Sequence, residues 1–161
     1  MLPVPTFPLS DETATLALGA ALARGLRPGM VVFLQGELGA GKTTLVRGAL
    51  RALGHEGRVK SPTYALVEVY AVSRLDLHHF DFYRFSDPRE WIDAGFRESF
   101  NGQVVSLVEW PEKATGQLPP PDLEIALRVL DSGREATLKS HTPAGEQCLA
   151  AITQHFPSSA S

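Results

Sequence analysis

The sequence predicts a single-domain α/β fold with a mixed parallel and antiparallel sheet flanked by helices. The chain has 161 residues, a length typical of one domain. Short apolar runs of strand length alternate with segments of helical periodicity. Residues 36–43 read Gly-Glu-Leu-Gly-Ala-Gly-Lys-Thr between one such run and one such helix, which fits the phosphate-loop pattern G-x-x-x-x-G-K-[ST]. We therefore expect the P-loop NTPase fold over residues 1–161, with residues 157–161 frayed.

The first half of the chain supplies the elements around this loop. Ser10 is the expected N-cap of an Ala/Leu-rich helix over residues 13–24. Residues 30–35 form a short apolar run, typical of a buried strand. Residues 44–53 carry apolar side chains with the spacing of one buried helical face, and Gly54 follows as a stop signal. Strand, glycine-rich loop and helix thus follow one another in the order that the motif requires.

The middle of the chain predicts antiparallel pairing beside that strand. Residues 64–70 and 74–81 are both rich in strand formers, and the three residues between them allow a hairpin. A short helix is expected from Asp87-Pro88 to Gly95. Antiparallel strands next to a nucleotide-binding strand make the sheet mixed.

The last third predicts a further strand, a hairpin and a helix. Residues 103–109 are an apolar run that ends in a glutamate. Residues 123–130 and 134–138 flank Asp-Ser-Gly and predict a hairpin. A final helix is expected over residues 142–156, starting at a Thr-Pro pair.

Composition restricts the classes of protein that fit. The formal charge of −3 gives no overall basic surface for nucleic acid, and the single cysteine, Cys148, excludes an internal disulfide. The N-terminus lacks the basic start and apolar core of a signal peptide. No run reaches the roughly 18 apolar residues of a membrane helix. We therefore expect a cytoplasmic protein with no membrane contact.

Each position of the loop has a defined chemical task. Its glycines allow backbone N–H groups to point inwards as an anion nest. The Lys42 ammonium can reach the β- and γ-phosphates of a nucleotide, and the Thr43 hydroxyl can bind Mg²⁺. The expected nucleotide contacts of the loop are Gly36, Leu38, Gly39, Ala40, Gly41, Lys42, Thr43 and Thr44.

Acidic residues at strand ends are candidates to complete a Mg²⁺ site. Glu109 ends the apolar strand of residues 103–109, where a phosphate-loop protein places its second metal ligand. Asp81 ends another strand and could bind Mg²⁺ through water or act as a general base on an attacking water. Asp76 competes with Asp81, but Asp81 lies at the strand end, where ligands bind in open α/β sheets.

For three further features, residue chemistry alone allows more than one role. Ser61-Pro62-Thr63 suits either a loop that senses the γ-phosphate or a plain turn. Core packing is the default for Trp110. His78 and His79 lack the spaced partners of a metal site, so structural roles are favoured.

Sequence motifs distinguish between the possible nucleotides and reaction classes. The Asn/Thr-Lys-x-Asp motif of guanine recognition is absent and the only asparagine is Asn101, so ATP is favoured over GTP and a GTPase-like switch is disfavoured. A small-molecule P-loop kinase is the alternative function. It usually needs an Arg-bearing lid, and nothing after Trp110 resembles one.

Several motifs occur in a fixed order along the chain, and together they resemble the TsaE family, also called YjeE. These motifs are GELGAGKTT (36–44), VKSPTY (59–64), LVE (66–68), HFDFYR (79–84), DP (87–88) and VEWP (108–111). The resemblance implies a small Mg²⁺-dependent P-loop ATPase in bacterial tRNA modification. It implies TsaB and TsaD as partners, which place a threonylcarbamoyl group on the adenosine beside the anticodon. Contact with tRNA is implied only through that complex.

The resemblance also assigns roles to individual residues. Thr43 and Glu109 resemble the Mg²⁺ ligands, and Asp81 resembles the hydrolytic carboxylate, which we group with Lys42 as catalytic. Trp110 is then expected near the nucleotide or the partner.

Two weaker assignments complete this set. Arg134 is expected near the nucleotide. Residues Ser61, Pro62 and Thr63 resemble a nucleotide-sensing switch.

Overall fold

Ten helices and strands surround the predicted loop in a computed structural model, which describes residues 4–60, 62, 65–87 and 100–156. The strands of this part of the chain are β1 (Thr6–Leu9), β2 (Val31–Gln35), β3 (Val67–Val72), β4 (Leu75–Asp81), β5 (Val105–Glu109), β6 (Leu123–Val129) and β7 (Arg134–Ser140). The helices are α1 (Glu12–Gly25), α2 (Lys42–Ala52) and α3 (Pro143–His155), and a 3-10 turn covers Pro111–Ala114.

The seven strands form one mixed sheet in the order β1-β7-β6-β2-β5-β4-β3. The central pairs β6–β2, β2–β5 and β5–β4 are parallel. The outer pairs β1–β7, β6–β7 and β3–β4 are antiparallel. The predicted mixed sheet and both predicted hairpins are therefore confirmed.

The register of the parallel strands places three strand ends side by side. Glu109 at the end of β5 lies opposite Asp81 on β4 and opposite Leu34 on β2. Because side chains alternate along a strand, Asp81 and Glu109 point to the same face of the sheet. Below them on that face lie buried apolar side chains such as Leu77 and Leu107. The other face carries a second apolar cluster around Phe80 and Val108.

Two local features differ from the sequence prediction. The N-cap of α1 is Asp11, whose Oδ1 accepts the Ala14 N–H at 2.8 Å, so the prediction of Ser10 was wrong by one residue. β1 is the strand that the sequence pattern does not predict, because it is short and contains Pro8. Proline is tolerated there because β1 is an edge strand.

Two further predictions can be compared only with the described residues. The predicted helix from Asp87 to Gly95 falls mostly outside the described residues. Over the described ranges, no helix has both the length and the apolar character needed to cross a membrane.

Helices α1 and α2 pack with their backbones in close contact at two glycines. A Cβ atom on Gly19 would lie 2.1 Å from the Leu45 carbonyl oxygen. A Cβ atom on Gly48 would lie 2.2 Å from the Leu16 carbonyl oxygen. Since α2 begins at the phosphate loop, this contact fixes the helix that carries Lys42.

We predict that Gly19→Ala lowers the free energy of unfolding by about 2 kcal/mol or more, because the added methyl group overlaps backbone atoms. Helix propensity alone favours alanine by about 0.5–1 kcal/mol. A decrease in the free energy of unfolding, in place of this increase, therefore identifies the steric effect. Urea unfolding followed by circular dichroism measures the change. The control is Gly57→Ala, where the new methyl group meets only the His55 ring, at 3.2 Å. Equal stability of the two variants would contradict the close contact.

Candidate functional site

The loop between β2 and α2 has the backbone of an anion-binding turn. Gly36 has φ 148° and Gly41 has φ 108°, values that favour glycine. A Cβ atom on Gly36 would also approach the Leu127 carbonyl oxygen to 2.6 Å. Gly41 is the N-cap of α2 and supplies no side-chain hydrogen bond to it. The N–H groups of the first turn of α2 are therefore available to an anion.

Lys42 is the cation of this site and is only 5% exposed. Its ammonium donates to the Gly36 carbonyl oxygen and lies 3.8 Å from the centre of the Trp110 ring. Burial lowers the pKa of Lys42, while the nearby carboxylates of Glu109 and Asp81 act in the opposite direction. A largely buried ammonium at the start of α2 is suited to bind a phosphate anion.

Thr43 and Glu109, the predicted metal ligands, are in direct contact. The Thr43 hydroxyl donates to Glu109 Oε2 at 3.2 Å, and Glu109 is 3% exposed. A hydroxyl and a carboxylate are the oxygen ligands that Mg²⁺ accepts. Among the described residues no group of three or more His, Cys, Asp or Glu side chains could hold a metal ion. This donor set fits Mg²⁺, which commonly uses one or two carboxylates together with substrate phosphates.

Asp81 lines the same cavity from the end of β4. It is 5% exposed, and its Oδ1 accepts the Tyr83 N–H at 2.9 Å. Its competitor Asp76 is exposed and lies near the start of β4. The structure thus brings Asp81 towards Lys42 and Glu109 and leaves Asp76 away from them.

Two cavities border the loop. The first, of about 230 Å³, is lined by the chemical groups described above, namely Leu38–Thr44, Asp81, Glu109 and Trp110. The second, of about 290 Å³, is lined by Leu9–Glu12, Thr15, Gly39–Gly41, Thr44, Gly133 and Arg134. Thr44 lines both cavities, so a ligand bound to the start of α2 can extend from one to the other.

Arg134 connects β7 to the loop. Its Nη2 donates to the Gly39 carbonyl oxygen at 3.2 Å, and its Nη1 donates to the Gly133 carbonyl oxygen at 3.0 Å. The guanidinium therefore lies at the second cavity and restrains the loop.

The predicted switch segment is described only at Pro62. Pro62 is buried, and its carbonyl oxygen accepts the Leu66 N–H at 2.7 Å. Ser61 and Thr63 lie outside the described residues, so their predicted role stays a prediction.

His79 is the site residue that sequence reasoning assigned to a structural role. It is fully buried, and its Nε2 lies 2.5 Å from Glu109 Oε2. The available signal was its position two residues before Asp81, which places both side chains on one face of β4. Asp11 and Glu12 also line the second cavity, and no sequence motif indicates that.

The chain matches a family model over residues 9–136, described as "Threonylcarbamoyl adenosine biosynthesis protein TsaE". Proteins named tRNA threonylcarbamoyladenosine biosynthesis protein TsaE are similar to it. That of Haemophilus influenzae is 40% identical, over 90% of this chain and 95% of the relative. That of Bacillus subtilis is 43% identical, over 79% of this chain and 78% of the relative.

A solved structure shares the fold of this chain. The crystal structure of Bacillus subtilis YdiB aligns with a TM-score of 0.82 and 31% sequence identity. The alignment covers 96% of this chain and 97% of that chain. The single mixed sheet and its helices are therefore shared along nearly the whole chain.

We predict that Arg134→Ala raises the amide hydrogen-exchange rates of residues 36–41 about fivefold, because the loop loses a hydrogen bond worth about 1 kcal/mol. Hydrogen-exchange mass spectrometry of the ligand-free protein measures this. The control is Arg128→Ala on the same hairpin, which removes an ion pair with Glu135. Unchanged exchange in the Arg134 variant would show that the guanidinium does not restrain the loop.

Proposed function

The chain belongs to the TsaE family, and from this premise we propose that it is a Mg²⁺-dependent ATPase acting with TsaB and TsaD in tRNA threonylcarbamoyladenosine biosynthesis. One observation carries the proposal. Lys42, Thr43, Asp81 and Glu109 line a single cavity at the phosphate loop. These are a phosphate-binding cation, two oxygen ligands for a metal, and a further carboxylate, the groups that hydrolysis of a nucleoside triphosphate requires.

The phosphates of ATP would bind at the start of α2. The first-turn N–H groups and the Lys42 ammonium would receive them, and Lys42 would exchange the Gly36 carbonyl for phosphate oxygens. Thr43 and Glu109 would hold Mg²⁺, which neutralises negative charge on the β- and γ-phosphates. The buried position of these groups strengthens each electrostatic contact.

Asp81 is the group we assign to the attacking water. Its carboxylate would accept a hydrogen bond from that water and take up its proton as the oxygen attacks the γ-phosphorus. The bond from the γ-phosphorus to the bridging oxygen breaks, which yields ADP and phosphate. Asp81 is held for this task by the Tyr83 N–H.

The second cavity is the proposed place of the nucleoside. Thr43 lines only the first cavity, whereas Thr44 lines both. A phosphate chain that runs from Thr43 towards Thr44 therefore directs the nucleoside to the side of Arg134. Adenine is proposed because the chain lacks the Asn/Thr-Lys-x-Asp motif of guanine recognition.

We predict that Asp81→Asn lowers the rate of ATP hydrolysis about 100-fold or more while changing ATP affinity by less than about threefold. The amide keeps the size of the side chain and removes its basicity. Phosphate release and calorimetric ATP binding measure the two quantities. Asp76→Asn is the matched control, since it makes the same change at the exposed start of β4. A loss of binding as large as the loss of rate would make Asp81 a binding residue.

The function as a whole is tested by reconstitution. Purified chain is added to TsaB, TsaD, ATP, threonylcarbamoyl-adenylate and tRNA. We expect several modified tRNAs per complex with the wild-type chain, and a loss of this turnover with Lys42→Ala, because the phosphate-binding cation is gone. Lys139→Ala, an exposed lysine on β7, is the control.

Two outcomes would reject the proposal. Equal modification with and without the chain would exclude the role in the complex. Transfer of the γ-phosphate to a small molecule, instead of release as inorganic phosphate, would favour a kinase.

A further inference from the structure

A buried histidine lies directly behind the proposed metal ligand. His79 on β4 is fully buried and pairs with Leu107 of β5, so its side chain is on the same sheet face as Asp81 and Glu109. On the assumption that the proposed function is correct, we propose that His79 is a positioning residue that orients the Glu109 carboxylate for Mg²⁺.

The contacts of Glu109 carry this inference. His79 Nε2 lies 2.5 Å from Glu109 Oε2, and the Thr43 hydroxyl donates to the same oxygen at 3.2 Å. Two donors from different elements, β4 and α2, thus fix the rotation of the carboxylate. Both contacts use Oε2, so these two side chains leave the other oxygen, Oε1, for a further ligand.

The hydrogen-bonding state of His79 agrees with this role. An ionised carboxylate only accepts hydrogen bonds, so Nε2 carries the proton in this contact. The second ring nitrogen, Nδ1, is buried and has no hydrogen-bond partner in the described part of the chain. A buried polar atom without a partner is unfavourable. Its neighbours on this face, Leu77 and Leu107, are fully buried, so a leucine would pack at position 79 without that penalty.

Side chains that hold a metal ligand in place tune the affinity of metal sites. A partner that holds a metal ligand in its binding orientation commonly changes metal affinity 10- to 100-fold. If His79 only filled the core, its replacement would affect stability and leave the dependence of ATP binding on Mg²⁺ unchanged.

The test measures ATP affinity by calorimetry in excess Mg²⁺ and in excess EDTA. We expect His79→Leu to weaken ATP affinity about tenfold in Mg²⁺ and less than about twofold in EDTA. His79→Gln, whose amide N–H can reach Glu109 at a similar distance, should stay within about threefold of wild type in both conditions. His78→Leu is the control, because this neighbouring histidine pairs with Ser106 on the opposite sheet face.

A second comparison covers failure of the leucine variant to fold. His79→Asn carries the same amide on a shorter side chain and should lose Mg²⁺-dependent affinity, whereas His79→Gln should retain it. Equal affinities of these two variants, or equal losses in Mg²⁺ and EDTA, would overturn the inference.

The wild-type chain separates this inference from the proposed function. If Mg²⁺ strengthens ATP binding to wild type but His79→Leu shows the same gain, only the role of His79 is wrong. If Mg²⁺ has no effect on wild type, the metal site of the proposed function is wrong, and the positioning role with it.

Discussion

The alignment of three parallel strands at their carboxyl ends is the constraint on which the site depends. Leu34, Glu109 and Asp81 are neighbours across β2, β5 and β4. The loop leaves β2 directly after this row, and both carboxylates reach the same side of the sheet. Since side chains alternate with a period of two, a shift of one residue would turn a carboxylate to the opposite face. The buried apolar residues below the row hold the register, so the core and the chemistry are specified by the same pairing.

The helices fix the remaining half of the site. Lys42 and Thr43 belong to the first turn of α2, and α2 is held against α1 by the backbone contacts of Gly19 and Gly48. Lys42 and Glu109 also have protein partners without a ligand. Lys42 has the Gly36 carbonyl and the Trp110 ring, and Glu109 has Thr43. A phosphate bound as proposed would therefore displace existing contacts, and its binding would change the environment of Trp110.

How much of the fold and of the site could be predicted from the sequence depends on how far apart in the chain the interacting residues lie. The buried strands and both hairpins follow from local glycine and apolar patterns, and the structure confirms them. The same patterns predict the phosphate loop, and the structure places it between β2 and α2 as expected. Ser10 and Asp11 are adjacent residues that both cap helices well, so the sequence does not show which of them begins α1. β1 is held by pairing with β7, more than 120 residues away, so its short Pro-containing sequence gives little signal. The sequence places His79 two residues before Asp81, but its contact with Glu109 depends on the register between β4 and β5, which the sequence does not show.

The surroundings of the two buried carboxylates differ in a way that supports the separate roles proposed for them. A triphosphate would add negative charge to a cavity that already holds Asp81 and Glu109 beside one lysine, and like charges in a buried site repel strongly. The charge balance therefore favours entry of the nucleotide together with a cation. Glu109 accepts a hydrogen bond from Thr43, whose hydroxyl is the other proposed oxygen ligand, so it is suited to that cation. Asp81 accepts a hydrogen bond from the backbone N–H of Tyr83, which helps to position it. The proposed division into a metal ligand and a base thus follows from environment, as it does wherever neighbouring carboxylates serve separate steps.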